Sequence, residues 1–237
     1  MRISRIFFEH ELSNQLIITD SERINYMRNA LRLKEESQCI LFNGKGSENL
    51  YIISQVDKKN LALQKIDELV ITDSFKLKIK LYPSLIKNKS MDWLIQKATE
   101  VGVYQIQPLI TEYSKSNSEA KKYSSDKLLH WEKIIISACE QSGRHYIPKI
   151  FPPIHAKEIN INNGLFLDVY AENHLDSAEI QNDEILNLII GPEGGFSKDE
   201  SELFKNLGLK SYHLSLPILR SETAAVVASS LLLTRKQ

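Results

Sequence analysis

Three of the chain's nine glycines, Gly191, Gly194 and Gly195, stand in one five-residue stretch. An apolar run precedes the stretch, and Phe-Ser-Lys-Asp-Glu follows it, with the serine and glutamate spacing of a helix capping box. This glycine density indicates unusual backbone angles or a ligand that approaches the backbone closely. Because ligands of open α/β sheets bind at the carboxyl ends of strands, we interpret Gly191–Gly195 as a binding loop. A plain strand-to-helix turn is the alternative.

A second strand-to-helix junction, starting at Leu214, has the sequence Leu-Ser-Leu-Pro-Ile-Leu-Arg-Ser-Glu-Thr-Ala. Apolar side chains are unusual in a solvent-facing connection, so they favour a loop that lines a pocket for a flat apolar group such as an adenine. Arg220 and Glu222 add charges where the helix begins. Glu222 has a second interpretation, as an acidic residue that compensates the helix dipole.

The sequence lacks the motifs of several other chemistries. The glycine spacing fits neither the dinucleotide fingerprint nor the phosphate-binding loop, and neither Gly-x-Ser-x-Gly nor His-Glu-x-x-His occurs. The six histidines show no metal-ligand spacing. Cys39 and Cys139 lie far apart in the chain, which favours two reduced thiols. We therefore expect neither a metal site nor a disulfide.

The composition is that of a globular protein. The chain has 237 residues, of which 42% are hydrophobic and 25% charged, and this length suits one large domain or two ordinary ones. No apolar run approaches the length of a membrane span, and the N-terminus lacks the apolar segment of a signal peptide. We therefore expect a cytoplasmic protein.

The net charge is zero, with 30 basic and 30 acidic residues. This balance argues against a protein that holds nucleic acid through a general positive field. Arginine is nevertheless concentrated near the N-terminus, and a guanidinium group can contact a phosphate through two hydrogen bonds. These arginines are candidates for an RNA-binding surface, with a solvated face as the alternative. They are Arg2, Arg5, Arg23, Arg28 and Arg32.

Residues 1–72 favour a small β-barrel. Short β-prone runs alternate with turn signals, and Asn43-Gly44 predicts a hairpin. One helix is expected from Ser21 to Leu31, with Ser21 as its N-cap. Turn residues cluster at Thr72, where we place the domain boundary.

Residues 73–237 alternate between strands and helices. The predicted strands are Leu77–Tyr82, Ile106–Ile110, Leu165–Val169, Leu186–Ile190 and Tyr212–Leu214. The predicted helices begin at Ser90, Ser125, Ser197 and Glu222. Strands that are apolar throughout and separated by helices predict a parallel sheet covered on both faces.

Six motifs, in the same order along the chain, resemble the RsmE family. The two loops described above supply Ile-Gly-Pro-Glu-Gly-Gly-Phe-Ser and Ile-Leu-Arg-Ser-Glu-Thr-Ala. The N-terminal region supplies Asn-Ala-Leu-Arg-Leu from Asn29 and Leu-Phe-Asn-Gly-Lys-Gly from Leu41. The remaining two are Met-Asp-Trp-Leu-Ile-Gln-Lys-Ala-Thr-Glu-Val-Gly from Met91 and Ser-Ala-Cys-Glu-Gln-Ser-Gly-Arg from Ser137. The resemblance covers nearly the whole chain.

RsmE proteins are S-adenosylmethionine-dependent methyltransferases of the SPOUT superfamily that modify N3 of a uridine in 16S ribosomal RNA. The resemblance implies a PUA-like, RNA-binding β-barrel at 1–72 and an α/β methyltransferase domain with a trefoil knot at 73–237. It also implies a homodimer that acts on the small ribosomal subunit without a metal. A non-catalytic ribosome-assembly factor and a methyltransferase for another RNA position are the alternatives.

The resemblance also assigns site residues. Arg220 is the candidate for stabilising the deprotonated uracil, and Glu193 or Glu222 for accepting its proton. The family usually has glycine and arginine where this chain has Ser215 and Pro217, which puts the details of cofactor binding in question. The expected cofactor-binding residues are Leu167, Ile190, Gly191, Pro192, Glu193, Gly194, Gly195, Leu214, Ser215, Leu216, Ile218, Leu219 and Thr223.

The last helix offers an independent argument for the homodimer. Ala224, Ala225 and Ala228 form a small-residue side, and Leu231 and Leu232 add apolar area. A helix that is apolar around much of its circumference must bury more than one face. Few elements of the chain remain to cover this helix, so we expect a second subunit to do so; burial inside its own domain is the alternative.

Overall fold

The structure, a computed structural model, describes residues 3–69, 77–114, 125–178, 185–214 and 217–235. The chain divides into two units. The first contains Met1–Ser74 and Cys139–Ile147, and the second contains Phe75–Ala138 and Pro148–Gln237. The domain limits 1–72 and 73–237 stay a prediction, because the boundary at Thr72 lies outside the described residues.

The first unit is built on one mixed β-sheet. Within the described residues its strands are β1 (Ser4–Phe7), β2 (Gln15–Ile18), β3 (Gln38–Phe42), β4 (Glu48–Val56) and β5 (Leu61–Glu68). Their order in the sheet is β1-β3-β4-β5-β2, with β1 parallel to β3 and the other neighbours antiparallel. The hairpin predicted at Asn43-Gly44 is confirmed, since β3 and β4 pair on either side of it.

The core of the first unit lies on the face to which alternate strand residues point. In β4, for example, Tyr51 and Ile53 are buried while Ile52 between them is only partly covered, as a strand with one buried face requires. The buried apolar cluster comprises Ile6, Phe8, Ile18, Ile24, Met27, Cys39, Leu41, Tyr51, Ile53, Leu61 and Leu63.

The helix of the first unit begins at the predicted residue, but its cap is different. Helix α1 (Ser21–Asn25) continues into a π-helical turn at Tyr26–Ala30. The N-cap is Asp20, whose carboxylate accepts a hydrogen bond from the backbone N–H of Arg23 at 2.7 Å. The prediction of Ser21 as the cap was wrong, because the residue before it supplies the stronger, charged acceptor.

The second unit is built on a parallel sheet, as predicted. Within the described residues the sheet contains β6 (Ile79–Pro83), β7 (Gln105–Ile106), β9 (Lys149–Ile150), β11 (Gly164–Leu167), β12 (Leu186–Ile190) and β13 (Lys210–Tyr212). Their order is β13-β11-β12-β6-β7-β9, and every paired neighbour is parallel. A separate two-stranded pair joins β8 (Leu109–Ile110) to β10 (Ile154–His155).

Four α-helices accompany this sheet in the described part of the chain. They are α2 (Asn88–Val101), α3 (Ser125–Ser142), α4 (Lys198–Asn206) and α5 (Ser221–Thr234). From Cys139 onward α3 belongs to the first unit. The predicted capping box of α4 is confirmed, because Ser197 and Glu200 exchange both side-chain-to-backbone hydrogen bonds. Gly102 ends α2 with a φ of 112°, a left-handed angle that suits glycine.

Several element limits in the second unit differ from the prediction by one or more residues, among them strands β6 and β11 and the start of α5. Helix α2 begins two residues before Ser90, because the N–H of Met91 already bonds the carbonyl of Lys87 at 2.9 Å. The strand predicted at Ile106–Ile110 is split into β7 and β8 at Pro108, which has no N–H to donate to a sheet. Strand β13 ends at Tyr212 instead of beginning there, since its pairing partner β11 ends at Leu167.

The chain's own elements cover one side of α5, and the other side is partly buried. Ala225, Ala228 and Leu232 are fully buried, and the helix packs on α2, β6 and β12 of the same unit. The argument that few elements remain to cover this helix was therefore wrong. No helix within the described ranges is long and apolar enough to cross a membrane.

Candidate functional site

The two predicted loops and the strand end at Leu167 meet at one edge of the parallel sheet. Strands β13, β11 and β12 are neighbours in that order, and they end at Tyr212, Leu167 and Ile190. Because parallel strands present their carboxyl ends at the same edge, the segments that follow them emerge side by side. The structure thus brings together the glycine loop and the two other segments predicted to hold the cofactor.

The glycine loop is a tight turn with an open outer side. The N–H of Gly195 donates to the carbonyl of Pro192 at 3.0 Å. Pro192 is buried, whereas Glu193, Gly194 and Gly195 are exposed. Gly195 has a φ of 73°, and a Cβ built there would have no protein atom within 4 Å. The loop therefore needs glycine for its conformation and leaves space beside it.

The start of α5 is fastened to the glycine loop. The hydroxyl of Ser221, a buried residue, donates to the carbonyl of Gly191 at 2.6 Å. Arg220 occupies the N-cap position, is exposed, and makes no side-chain cap. Glu222 and Thr223 follow in the first turn and are partly buried. All three charged candidates, Arg220, Glu222 and the exposed Glu193, are therefore carried by segments that this hydrogen bond joins.

Glu222 has a partner on a neighbouring helix. Its carboxylate accepts a hydrogen bond from the hydroxyl of Ser90, near the start of α2, at 3.3 Å. Glu222 also lies in the first turn of α5, where a negative charge is favourable. These contacts give Glu222 a structural role whether or not it accepts a proton.

The loop after β13 exposes apolar side chains where it is described. Ile218 is 82% exposed, and Leu214 and Leu219 are partly buried. Ser215 and Leu216 lie outside the described residues. Isolated exposed apolar residues are common, but here they lie on a loop predicted to line a pocket.

Ile190 is buried, so it offers the site backbone atoms only, and its carbonyl already accepts a hydrogen bond from the N–H of Ser84.

Two exposed aromatic residues at this edge were missed by sequence reasoning. Tyr170, just after β11, is 91% exposed, and Tyr113, after β8, is 50% exposed. A Cβ built at Gly194 would lie 3.2 Å from the Cβ of Tyr113, so this tyrosine adjoins the glycine loop. Sequence alone gave no signal for this contact, because about eighty residues separate the two positions.

The five arginines of the first unit do not form one equivalent set. Arg5 is internal: its guanidinium donates to the carboxylate of Glu48, and their side chains are only 9% and 8% exposed. The same guanidinium group donates two further hydrogen bonds, to the carbonyl of Cys139 at 2.9 Å and to the carbonyl of Arg144 at 3.2 Å. The prediction of Arg5 as an RNA contact was wrong, because its donors are used inside the unit.

The other predicted RNA-binding arginines are less enclosed. Arg28 and Arg32 are exposed, and Arg32 has a φ of 55°. Arg23 is partly buried, with its guanidinium 5.1 Å from the ring centre of Phe8. Arg2 lies outside the described residues. An RNA-binding role for Arg23, Arg28 and Arg32 stays a prediction.

Titratable groups in the first unit show the effect of burial. Burial raises the pKa of Glu140, although the backbone N–H of Phe7 at 3.0 Å and the hydroxyl of Tyr26 at 2.8 Å both donate to its carboxylate. Burial, with the Glu140 contact second, raises the pKa of Tyr26 to about 12. Burial also raises the pKa of Cys39 to about 12 and of Cys139 to about 11, so neither is a reactive thiolate near neutral pH.

Two family models match the chain. An RNA methyltransferase PUA domain matches residues 18–66, and an RNA methyltransferase domain matches residues 73–233. A ribosomal RNA small subunit methyltransferase E from Buchnera aphidicola is 34% identical, with 98% of this chain and 94% of the relative covered. The chain belongs to the family of ribosomal RNA small subunit methyltransferases E. The methyltransferase E of Rickettsia conorii is also similar, at 33% identity over 96% of this chain and 94% of that one.

Solved structures of similar proteins have the same fold. A methyltransferase from Legionella pneumophila in complex with bound cofactor SAM is 33% identical, with a TM-score of 0.88 over 99% of this chain and 98% of that one. The small subunit methyltransferase E of Neisseria gonorrhoeae, bound to S-adenosyl methionine, has the same TM-score and coverage at 27% identity. The predicted family, α/β fold with a PUA domain, and S-adenosylmethionine-dependent methyl transfer are thereby confirmed. The knot and the homodimer stay predictions.

The residues at the sheet edge fit S-adenosylmethionine. The open space beside Gly195 leaves the backbone accessible to a ligand. The exposed Ile218 and partly covered Leu214 and Leu219 supply apolar surface of the kind that an adenine covers. Within the described ranges, no group of three or more histidine, cysteine, aspartate or glutamate residues is placed to hold a metal.

Proposed function

We propose that this chain transfers a methyl group from S-adenosylmethionine to N3 of a uridine in 16S ribosomal RNA, within the small ribosomal subunit. The observation that supports this most strongly is the meeting of three loops, after β13, β11 and β12, at one sheet edge. The names of the relatives, ribosomal RNA small subunit methyltransferase E, support the choice of substrate.

The protein's part in the reaction is mostly positioning. When bound, the cofactor supplies an electrophilic methyl group on its sulfonium. Gly191–Gly195 holds the cofactor through backbone groups, and Leu214, Ile218 and Leu219 bind its apolar part. The hydrogen bond from Ser221 to Gly191 fixes the position of one loop relative to the other. Fixed orientation of two reactants can supply a large share of a rate enhancement.

The uracil must lose the N3 proton before it can accept the methyl group. Arg220, which is exposed at the start of α5, stabilises the negative charge that this loss leaves on the base. Glu193 and Glu222 are the candidate proton acceptors. Glu193 is the stronger one, because it is exposed on the glycine loop while Glu222 is hydrogen-bonded to Ser90. N3 lies on the pairing edge, so the base must be unpaired in the complex.

RNA binding and assembly complete the proposal. Residues 1–72 form the RNA-binding domain, with Arg23, Arg28 and Arg32 as phosphate contacts. The protein acts as a homodimer with the family's knot and is cytoplasmic, where ribosomal subunits are found. Partly buried residues on the outer side of α5, such as Ala224, Val227 and Leu231, are the candidate contacts between subunits.

Mapping of the modified nucleotide tests the proposal. Small ribosomal subunits from cells that lack this enzyme are incubated with the purified protein and S-adenosylmethionine. Because a methyl group at N3 blocks base pairing, we expect one new stop in reverse transcription of 16S ribosomal RNA. A methylated position other than uridine N3 contradicts the substrate assignment. Absence of methyl transfer, with the subunit still bound, indicates an assembly factor instead.

A further inference from the structure

A tightly bonded turn follows β8 in the second unit. The backbone N–H of Thr111 donates to the hydroxyl of Ser114 at 2.9 Å, and the N–H of Ser114 donates to the carbonyl of Thr111 at 3.1 Å. The two hydroxyl oxygens are 2.6 Å apart. Both residues are buried, whereas Glu112 and Tyr113 between them are exposed. The turn therefore holds these two residues in a fixed place on its outer side.

The turn is anchored at two further points. The backbone N–H of Glu112 donates to a carboxylate oxygen of Glu200, the capping-box residue of α4, at 2.8 Å. At the start of β8, the carbonyl of Leu109 accepts from the N–H of Leu85, just beyond the end of β6, at 2.8 Å. The turn thus has little freedom to move relative to the sheet edge.

Tyr113 lies directly against the glycine loop. A Cβ built at Gly194 would be 3.2 Å from the Cβ of Tyr113, which is tighter than most real contacts of a Cβ, and 3.6 Å from its Cγ, which is ordinary van der Waals contact. Any side chain at position 194 would require Tyr113 to shift by a few tenths of an ångström, so glycine suits this contact. Half of the Tyr113 surface, 50%, is exposed. An aromatic side chain whose backbone is held in place and whose surface is half exposed is suited to contact another molecule.

Tyr113 approaches the glycine loop from the side opposite the other cofactor loops. Strand β12 has β11 and β13 on one side and β6 on the other. The Tyr113 turn belongs to the β6 side, because Leu109 pairs with Ser84 beyond the end of β6. The segments after β11 and β13 lie on the other side of β12. The position of Tyr113 therefore suits the second substrate better than the cofactor.

We propose that Tyr113 stacks on an unpaired base of the RNA substrate and holds that base beside the glycine loop. This inference rests on the proposed function, which requires a base with an accessible pairing edge. A base that leaves its helix loses its stacking, and aromatic side chains replace that stacking in RNA-binding sites. Tyrosine has only two side-chain torsions to fix, so little conformational entropy opposes the contact.

Two variants of Tyr113 separate the contribution of the aromatic ring from that of the hydroxyl, and a third variant at another tyrosine tests whether the position matters. Affinity for small ribosomal subunits that lack the modification is measured for wild type, Tyr113→Phe and Tyr113→Leu. We expect Tyr113→Leu to weaken binding on the order of tenfold, the lower part of the range for loss of one stacked base. Tyr113→Phe should bind as wild type does, because the ring carries the contact. Affinity for S-adenosylmethionine, measured by calorimetry, should be unchanged in both.

Tyr104→Leu is the matched control. Tyr104 is a partly buried tyrosine immediately before β7, at the amino edge of the same sheet, and its replacement should leave subunit affinity unchanged. Equal loss in Tyr113→Phe and Tyr113→Leu, or no loss in either, overturns the inference, as does a weakened cofactor affinity. If the wild-type protein transfers no methyl group, only the proposed function is contradicted. The comparison of affinities for the small ribosomal subunit still tests the stacking of Tyr113.

Discussion

The glycine loop Gly191–Gly195 and the surroundings of Arg5 differ in what they leave available to another molecule. The donors of Arg5 bond to Glu48 and to two backbone carbonyls, all inside the first unit. In the glycine loop, three residues are exposed and Gly195 has open space beside it. Arg5, whose charge suits RNA, thus stabilises the first unit. The glycine loop, in contrast, is open to a ligand.

The difference has an energetic consequence. Removal of one partner from a buried ion pair leaves an uncompensated charge, so changes around Arg5 should act first on stability. Changes in the glycine loop touch few protein atoms and should act first on cofactor binding. Variants in the two regions therefore separate folding from function.

The largest effect is expected for Gly195→Val. A branched side chain at a φ of 73° would fill the space beside the loop, so binding of S-adenosylmethionine should fall below detection by calorimetry. Gly208→Val is the matched control, since Gly208 has a φ of 80° and equally open space for a Cβ. Both variants should lose about 1–2 kcal/mol of stability from backbone strain. Equal affinity of the two variants for S-adenosylmethionine would show that the glycine loop is not part of the cofactor site.

Arg5→Ala should lower the free energy of unfolding by about 3 kcal/mol, because Glu48 would stay buried without its guanidinium partner. The remaining contact of Glu48, with His145 Nδ1 at 3.0 Å, compensates only in part. Denaturant titration measures the change, with the exposed Arg28→Ala as the control that should stay within about 0.5 kcal/mol of wild type. Similar stability of both variants contradicts a structural role for Arg5.

Ser221→Ala removes the hydrogen bond between α5 and the glycine loop. We expect a loss of about 1 kcal/mol in stability and a several-fold weaker affinity for S-adenosylmethionine. Ser229→Ala is the control in the same helix: Ser229 is also buried, and its hydroxyl donates to the carbonyl of Ala225 at 2.7 Å. Cofactor affinity that falls equally in both variants would show a general effect of the helix instead of a link between the loops.

The smallest effect is expected for the double variant Arg28→Ala with Arg32→Ala. If both arginines contact phosphates, the slope of log affinity for ribosomal RNA against log salt concentration should decrease by about 1–2. Lys205→Ala, at an exposed position of α4, is the control for loss of an unrelated charge. An unchanged slope in the double variant means that these arginines are only solvated.

The sequence predicted the parts of the fold that depend on local signals. The Ser197–Glu200 capping box and the apolar strand Leu186–Ile190 both occur as expected. Such features depend on residues within one or two turns of each other. The approximate course of the parallel sheet followed from the same strand and helix signals.

What the sequence did not predict depends on distant partners. Glu48 lies 43 positions from Arg5, and the carbonyl of Cys139 lies 134 positions away. The contact between Tyr113 and Gly194 likewise joins segments after β8 and β12, which no local pattern connects. The amino acid type suggested a charge or a ring, but only the fold determined whether that group is used inside the protein or presented to a ligand.

Hydrogen–deuterium exchange with and without S-adenosylmethionine tests the central claim most directly. We expect slower exchange on addition of the cofactor in peptides that cover Asp168–Ala171, Gly191–Phe196 and Pro217–Arg220. Peptides that cover β3, beside the Arg5 strand in the first unit, should exchange at the same rate in both conditions. Protection confined to other segments, or none at all at saturating cofactor, would contradict the claim that the loops after β11, β12 and β13 form the cofactor site.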